Sequence, residues 1–320
     1  MKEEEIRPKE MLDKLHELAR IDAEHFDRTK FYDVNCVSCN SSKKSILCIK
    51  NGFKYNLCSS CGSVYCSPRP SKKDLEIFYR DSISSKYWYN DVYPIVEEVR
   101  REKIFKTKAK ELFDFIKQKE INIQNLCDVG AGNGIFLEEL KKINSSLDYF
   151  AVEPSETCEK ILRSKGFDVL PVSVEKTDKW NNKFDFVVSM EVFEHVLNPS
   201  EFLHSIKRLL KKDGFCLITT LQYEGFDILT LGEKSKSIAP PYHLNFLSID
   251  GFERIFKNCG FRNIEIITPG KLDVDIVLNS NFNSEFIRVI QSRGENVINN
   301  FQSFLKKNKL SSHIWIFAQA

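Results

Sequence analysis

The chain has 320 residues, 47 basic and 45 acidic, for a formal charge of +2, with 42% hydrophobic and 29% charged residues. That length fits one large domain with additions, or two domains, and the balance is that of a globular chain able to build a core. Near-neutrality gives no electrostatic reason to expect nucleic acid. No apolar run is long enough for a membrane span, and MKEEEIRPKEMLDK lacks the apolar stretch of a secretory signal, so a cytoplasmic protein is expected.

Residues 8–30 set Met11, Leu15, Leu18, Ile21 and Phe26 at roughly helical spacing and predict an amphipathic helix. Residues 34–69 are Cys-rich and turn-rich, and Pro-Arg-Pro at 68–70 stiffens the exit. From Ser71 to about Lys119 the pattern is helical again, with Tyr87, Trp88, Tyr89 and Tyr93 near its middle. From Asn122 apolar strands (NLCDVG, YFAVEP, FDVLPV, FDFVVSM, GFCLITT) alternate with charged helical segments (FLEELKKI, SETCEKILRSKG, PSEFLHSIKRLLKKDG). This alternation predicts an α/β fold: a Rossmann-like parallel sheet with helices on both faces. A last helix, IDGFERIFKNCG, leads into FRNIEIITP, and HIWIFAQA is a further strand; residues 271–312 between them read as a helical insertion. The expected divisions are a helical arm (1–33), a zinc ribbon (34–70), a helical linker or lid (71–119) and a cofactor-binding domain (120–320).

Six of the ten cysteines fall between residues 36 and 66. Cys36-Val-Ser-Cys39 and Cys58-Ser-Ser-Cys61 are 18 residues apart, and each pair can form a tight knuckle presenting two thiolates to a tetrahedral ion. Four thiolates would fill the sphere, so a structural zinc is expected. Cys48 and Cys66 read as small buried residues.

Asp128-Val-Gly130-Ala131-Gly132-Asn-Gly134 follows a strand and opens a helix. Glycines there permit a sharp turn and close approach of backbone N–H groups to a ligand. Nineteen residues after Gly134, Glu153 ends the next strand, beside Pro154, where a carboxylate can accept ribose hydroxyls. The dinucleotide pattern is the competitor, but its third glycine belongs where Ile135 stands. The spacing instead resembles motif I of class I S-adenosylmethionine-dependent methyltransferases. FDFVVSMEVFEHVLNP (184–199) and GFCLITT resemble the fourth- and fifth-strand motifs of the small-molecule branch. The resemblance implies that Asp128 lies near the methionine amino group, Gly130 and Gly132 under the methionine moiety, Glu153 on the ribose, and Ser189, Met190 and Glu191 along the cofactor.

Histidine titrates in the range useful for removing an acceptor's proton. His16 and His25 are expected at the surface, and His204 is expected to be structural. His195 follows the fourth strand; both a place near the pocket and a purely structural role suit it. His243 lies in a long loop, 222–247, of the kind that covers active sites. PPYHLNFLS (240–248) resembles the YHEHLxYFS segment of deoxysugar C-methyltransferases, which also carry an N-terminal zinc-binding domain and in which the last histidine is the proposed base. His243 matches it, while Tyr242, Pro241 and Pro240 depart from the pattern. His313 is a weaker candidate at the last strand.

The favoured expectation is methyl transfer to a small molecule, a sugar or nucleotide-linked sugar, with His243 as base. The alternative is an RNA or protein methyltransferase that grips its substrate through the ribbon, whose Lys43, Lys44, Lys50, Lys54 and Arg69 give a local basic excess.

Overall fold

The computed structural model describes residues 1–280 and 282–320. Three N-terminal strands, β1 (Lys44–Lys50), β2 (Phe53–Cys58) and β3 (Val64–Cys66), pair antiparallel. Farther along come β4 (Asn125–Val129), β5 (Asp148–Val152), β6 (Asp168–Leu170), β7 (Phe184–Met190), β8 (Leu210–Leu221), β9 (Asn245–Phe246), β10 (Arg262–Ile267) and β11 (His313–Gln319). Seven of these form one sheet in the order β10-β11-β8-β7-β4-β5-β6. β4 to β8 run parallel, and β11 is antiparallel to both its neighbours.

The sheet forms because both of its faces can be covered. On one side Phe202, Leu203, Ile206, Phe252 and Phe256, from the helices Pro199–Leu209 and Ile249–Asn258, pack on Val187, Ile218 and Ile316. On the other, Leu112 and Ile116 of helix Lys106–Gln118 and Phe136 and Leu140 of helix Ile135–Ile143 pack on Leu126, Val188 and Trp315. Strands covered on both faces read as continuous apolar runs, which is why they were legible. The strand order reverses between β4 and β7, and at such a switch point the strand ends open a crevice for ligands.

Three expectations shift. The tail of PSEFLHSIKRLLKKDG is not helical: the helix stops at Leu209, and Leu210–Gly214 already belongs to β8. Leu210 pairs with Phe184 and Lys211 Nζ lies 2.7 Å from Asp185, so pairing with β7 overrides a helix-like composition. In helix Lys9–Glu24 the buried face is Leu12, Ala19, Asp22 and Ala23, not the stripe through Leu15 and Leu18. Asp22 is buried because it caps a neighbour: its carboxylate accepts the backbone N–H groups of Ile83 and Ser84. His16, on the same helix, is half-buried rather than a surface residue, and burial, followed by nearby Lys50, pulls its pKa down to about 4.

The ribbon strands take a fourth partner from the long loop after β8, since β3 pairs with β9 through Val64–Phe246 and Tyr65–Asn245. Residues 72–81 and 83–118 are helical, broken at the extended Ser82, and within them Trp88–Val92 and Arg101–Phe105 are π-turns. Such bulges recur at functional sites because they rotate side chains out of the regular helical phase. The insertion supplies helices Asp273–Leu278, Glu285–Ser292 and Glu295–Lys307. Among the described residues no helix is long and apolar enough to cross a membrane.

Candidate active site

The glycine turn between β4 and helix Ile135–Ile143 is built on positive φ angles: 78° at Gly130, 53° at Gly132 and 76° at Gly134. A Cβ on Gly130 would stand 2.5 Å from Val192 Cγ2, whereas one on Gly132 would meet nothing within 4 Å. Gly130 is therefore fixed by packing, and Gly132 fronts open space. That space is a cavity of about 150 Å³ lined by Asp128, Gly130–Asn133, Ile135, Phe136 and Met190 from the sheet side, and by Trp88, Tyr89, Tyr93, Arg100 and Phe105 from the helical segment above it. Three of the four aromatics noted in the sequence thus wall the cavity; Tyr87 instead packs under Lys14 Nζ, 4.6 Å from its ring centre.

Two ionisable groups in this cavity lack hydrogen-bond partners among the described residues. Asp128 Oδ1 is buried and accepts no hydrogen bond, and Arg100 Nε and Nη1 are buried and donate none among the described residues. Burial, then the nearby Glu153 charge, pushes the Asp128 carboxyl up to about 8, and burial lowers the Arg100 guanidinium to about 10. Buried polar groups are nearly always hydrogen-bonded, so an orphaned acid and an orphaned guanidinium lining one cavity point to a missing ligand with complementary charges. Glu153 stands beside them. One of its oxygens accepts Gly132 N–H at 2.9 Å and the other Ser155 N–H at 2.9 Å, and burial raises its pKa.

The remaining candidates fall in different places. Met190 lines the cavity. Pro154 is exposed and Gly134 caps the helix in the left-handed region. Ser189 is fully buried and donates to the Val129 carbonyl at 2.8 Å, so its hydroxyl ties β7 to β4 rather than facing the cavity. The Glu191 carboxylate is engaged by other side chains: it lies 2.8 Å from Lys108 Nζ and 3.4 Å from His313 Nδ1 and accepts the Thr219 hydroxyl. Burial alone would raise its pKa, but Lys108 and His313 outweigh that and hold it well below the usual carboxylate range. His204 is exposed and bonds back to the Ser200 carbonyl.

His195 and His243 come together, with ring centres 4.7 Å apart. Glu194, which was not singled out from the sequence, joins them: its carboxylate and one nitrogen of each ring lie within 4.8 Å of one another. Burial lowers both histidines to about 4, so both rings are neutral at physiological pH. The loop carrying His195 and the loop carrying His243 are bolted together. Leu244 N–H donates to the Glu194 carbonyl at 2.7 Å, and Asn245 Nδ2 to the Val196 carbonyl at 2.7 Å. The ribbon holds the same spot: Tyr55 OH donates to the His243 carbonyl at 2.6 Å, Cys66 N–H donates to the Leu244 carbonyl, and Arg69, only 1% exposed, donates to the carbonyls of Cys66 and Leu197.

At the far end of the ribbon the four expected cysteines converge. Cys36 and Cys61 sulfurs are 3.6 Å apart, as are those of Cys39 and Cys58, and all four lie within 4.8 Å of one another. Sulfurs about 2.3 Å from one tetrahedral ion sit roughly 3.8 Å apart, so the spacing suits a cation. Cys61 is held at about 4, chiefly by the hydrogen bond from Cys36. Cys48 and Cys66 are buried and stand outside this group.

The profile of a methyltransferase domain matches residues 96–266, just over half of the chain. The chain belongs to that family. It is 32% identical over 106 residues to the ubiquinone biosynthesis O-methyltransferase of Caulobacter vibrioides, covering 30% of this chain and 40% of that protein. It is 27% identical over 157 residues to the tRNA U34 carboxymethyltransferase of Pseudoalteromonas atlantica, covering 46% of this chain and 47% of that one. The chain thus spans about half or less of these relatives. A plantazolicin methyltransferase, BamL, solved with SAH and a triazolic desmethylPZN analog, superposes with a TM-score of 0.52 at 13% identity, over 76% of this chain and 93% of that one, and shares the fold. The glycine turn and strand ends were readable because they recur as a pattern. Arg100 was not. In EEVRREK it looks like Arg101, and only the fold separates them: Arg101 pairs with Glu138 and Glu139 at 2.9 Å each, while Arg100 sits between Trp88 and Phe105.

Proposed function

We propose that the protein transfers a methyl group from S-adenosylmethionine to a small molecule, with a sugar or nucleotide-linked sugar as the favoured acceptor. The observation that carries the cofactor half is the unpaired acid and guanidinium of Asp128 and Arg100 in one cavity beside the glycine turn. A zwitterionic amino-acid end meets both: its ammonium on Asp128 and its carboxylate on Arg100. Glu153 keeps lone pairs for ribose hydroxyls while bonding Gly132 and Ser155. The cofactor supplies a methyl group already activated by its sulfonium. The chain's task is then to align the acceptor and hold its proton. Trp88, Tyr89 and Tyr93 exclude water on the helical side, and His243, favoured over His195, receives the proton. The four cysteines hold zinc as a structural ion.

The small-molecule reading draws support from the ribbon's basic residues. Arg69 is buried and internally bonded, Lys44 donates to Ser67 and the Val34 carbonyl, and Lys50 donates to the Ser235 carbonyl. Only Lys43 and Lys54 make no side-chain hydrogen bond among the described residues, a sparse set for RNA. The deciding experiment is S-adenosylhomocysteine release by the zinc-loaded protein, with a nucleotide-sugar pool and with total RNA in parallel. Release with the sugar pool alone is the expected outcome. Release with RNA alone would reassign the ribbon to substrate recognition.

A further inference from the structure

A second cavity, of about 300 Å³, lies where helix Lys9–Glu24, the turn between β1 and β2 and the loop before His243 meet. The helix supplies His16 and Arg20, one turn apart on the same face; the turn supplies Lys50 and Asn51, and the loop Lys236 and Ala239. The place is built rather than incidental. Asn51 and Gly52 have φ of 48° and 76°, the left-handed pair that a two-residue Asn-Gly hairpin turn requires. A Cβ on Gly52 would stand 2.4 Å from Arg28 Nε, so the Arg28 guanidinium lies against the turn, and its Nη2 donates to the Asn51 carbonyl at 2.9 Å and to the Ala23 carbonyl at 3.0 Å. Lys50 Nζ donates to the Ser235 carbonyl at 2.7 Å and Asn51 Nδ2 to the Pro240 carbonyl at 3.3 Å, which fixes the loop to the turn.

The lining has donors to spare and too few acids to use them. Lys50 is half-buried and has no carboxylate within salt-bridge reach among the described residues; burial pulls its pKa down to about 8, and the exposed Glu233 acts on it only from a distance. The His16 ring makes no hydrogen bond among the described residues, and burial, then the charges of Lys50 and Lys236, hold it neutral. Arg20 pairs with Glu24 and Lys236 with Asp13, but both pairs face solvent, where such contacts are weak, and each cation keeps further N–H groups. Glu17, exposed, is the one carboxylate in the lining, against three cations. A half-buried ammonium without a counter-ion, beside a guanidinium and an imidazole on a concave wall, calls for an anion. Donors arriving from three elements suit a tetrahedral oxyanion, which offers more acceptor oxygens than a planar carboxylate. We infer that this cleft binds the phosphate or diphosphate group of a ligand. The same loop holds His243, whose Nδ1 donates to the Ser237 carbonyl at 2.6 Å, one residue from Lys236. A phosphate-bearing acceptor is therefore the expected source of the group; that identification rests on the small-molecule reading, and the anion site itself does not.

The test is equilibrium dialysis of the full, zinc-loaded chain against labelled pyrophosphate and, separately, labelled uridine diphosphate. Saturable uptake of one equivalent is expected with both, weakening as salt is raised. Lys50→Met should lose roughly tenfold in affinity for either probe, the usual cost of removing a hydrogen bond to a charged group. Arg20→Met, at an exposed position, should weaken binding in the same direction, and Lys50→Arg should restore most of it. Tighter binding of uridine diphosphate than of pyrophosphate would mark a nucleotide-linked ligand as the source; equal binding would mark a site that reads phosphate alone. No saturable uptake of either probe at millimolar concentration, or unchanged affinity in Lys50→Met/Arg20→Met, would overturn the inference. S-adenosylhomocysteine binding by calorimetry on the same samples should be unaltered by these substitutions. Its absence alongside retained pyrophosphate binding would count against the methyl-transfer reading and leave the anion site standing.

Discussion

Asp128 answers two opposed demands, and the opposition is measurable. Its carboxyl is 2% exposed, and its pKa is raised from 3.8 to about 8, so the free protein holds it protonated near neutrality. A group raised on folding stabilises fully below its unfolded value and loses that contribution as pH climbs through its folded value. The wild-type free protein should therefore lose stability from about pH 4 to pH 8. Asp128→Asn, which mimics the protonated acid, should melt several degrees higher at pH 8 and nearly unchanged at pH 4; a melting curve against pH checks this. Ligand binding should move the other way. An ammonium needs the ionised form, so S-adenosylhomocysteine should bind with release of about one proton at pH 7, seen as a buffer-dependent calorimetric enthalpy, and Asp128→Asn should abolish that release and weaken binding at least tenfold. Arg100→Met should cost about 2–4 kcal/mol of the same affinity, the usual penalty when one partner of a buried charge pair is removed, while leaving proton release intact.

Among the elements, the ribbon has the largest reach beyond its own residues. Its sheet is completed by β9, and Tyr55, Cys66 and Arg69 all bond to backbone around His243 and His195. Loosening the cysteine knuckles should therefore disturb the histidine loop while sparing the glycine turn, which rests on β4, β5 and Val192. Cys58→Ser, or stripping with a strong chelator, should lower kcat by at least tenfold and leave the dissociation constant for S-adenosylhomocysteine within about twofold; unaltered turnover would reduce the ribbon to a passive appendage. This dependence was invisible in the sequence, where β9 is only Asn-Phe inside a loop and Arg69 reads as a surface cation. The elements that could be read were those whose signal is local: strands with continuous apolar runs, knuckles two residues wide, a glycine turn. Misread stretches had their structure imposed from afar. Lys211–Gly214 looks like a helix tail until β7 lies beside it, and the buried stripe of helix Lys9–Glu24 is set by Asp22 capping a distant helix. Of the cavity lining, Asp128, Gly130, Gly132 and Met190 stand in motifs that the sequence displays, whereas Arg100, like Glu194 beside the histidines, does not stand out, because the meaning of these two lies in partners that they lack or share across the fold.

For the whole molecule, one charge cluster joins three parts that are remote in sequence. Lys108 comes from the helix on one face of the sheet, Glu191 from the end of β7 and His313 from the start of β11. Glu191 sits at a φ of 55°, a left-handed conformation that a non-glycine residue holds only when its surroundings require it. Thr219 supplies a further tether from β8 through its hydroxyl and its carbonyl. Lys108 is 15% exposed and Glu191 31%, so solvent screens the pair only in part. Glu191→Ala would leave the Lys108 ammonium largely buried and alone. The expected loss is about 2–4 kcal/mol, somewhat below the figure for a fully buried pair because Glu191 reaches solvent. The pH dependence follows from the depressed carboxylate. Its stabilisation is complete above the unfolded value of 4.5 and fades as pH falls through the lower folded value. Glu191→Gln should therefore lower the midpoint of denaturant unfolding at pH 7 and make the acid limb below pH 4.5 shallower, so that the two proteins converge in stability as the wild type is acidified. A parallel offset at every pH would mean that the carboxylate contributes shape alone. Convergence would identify this cluster as the electrostatic clasp that fixes the helical wall of the cavity to the sheet below it.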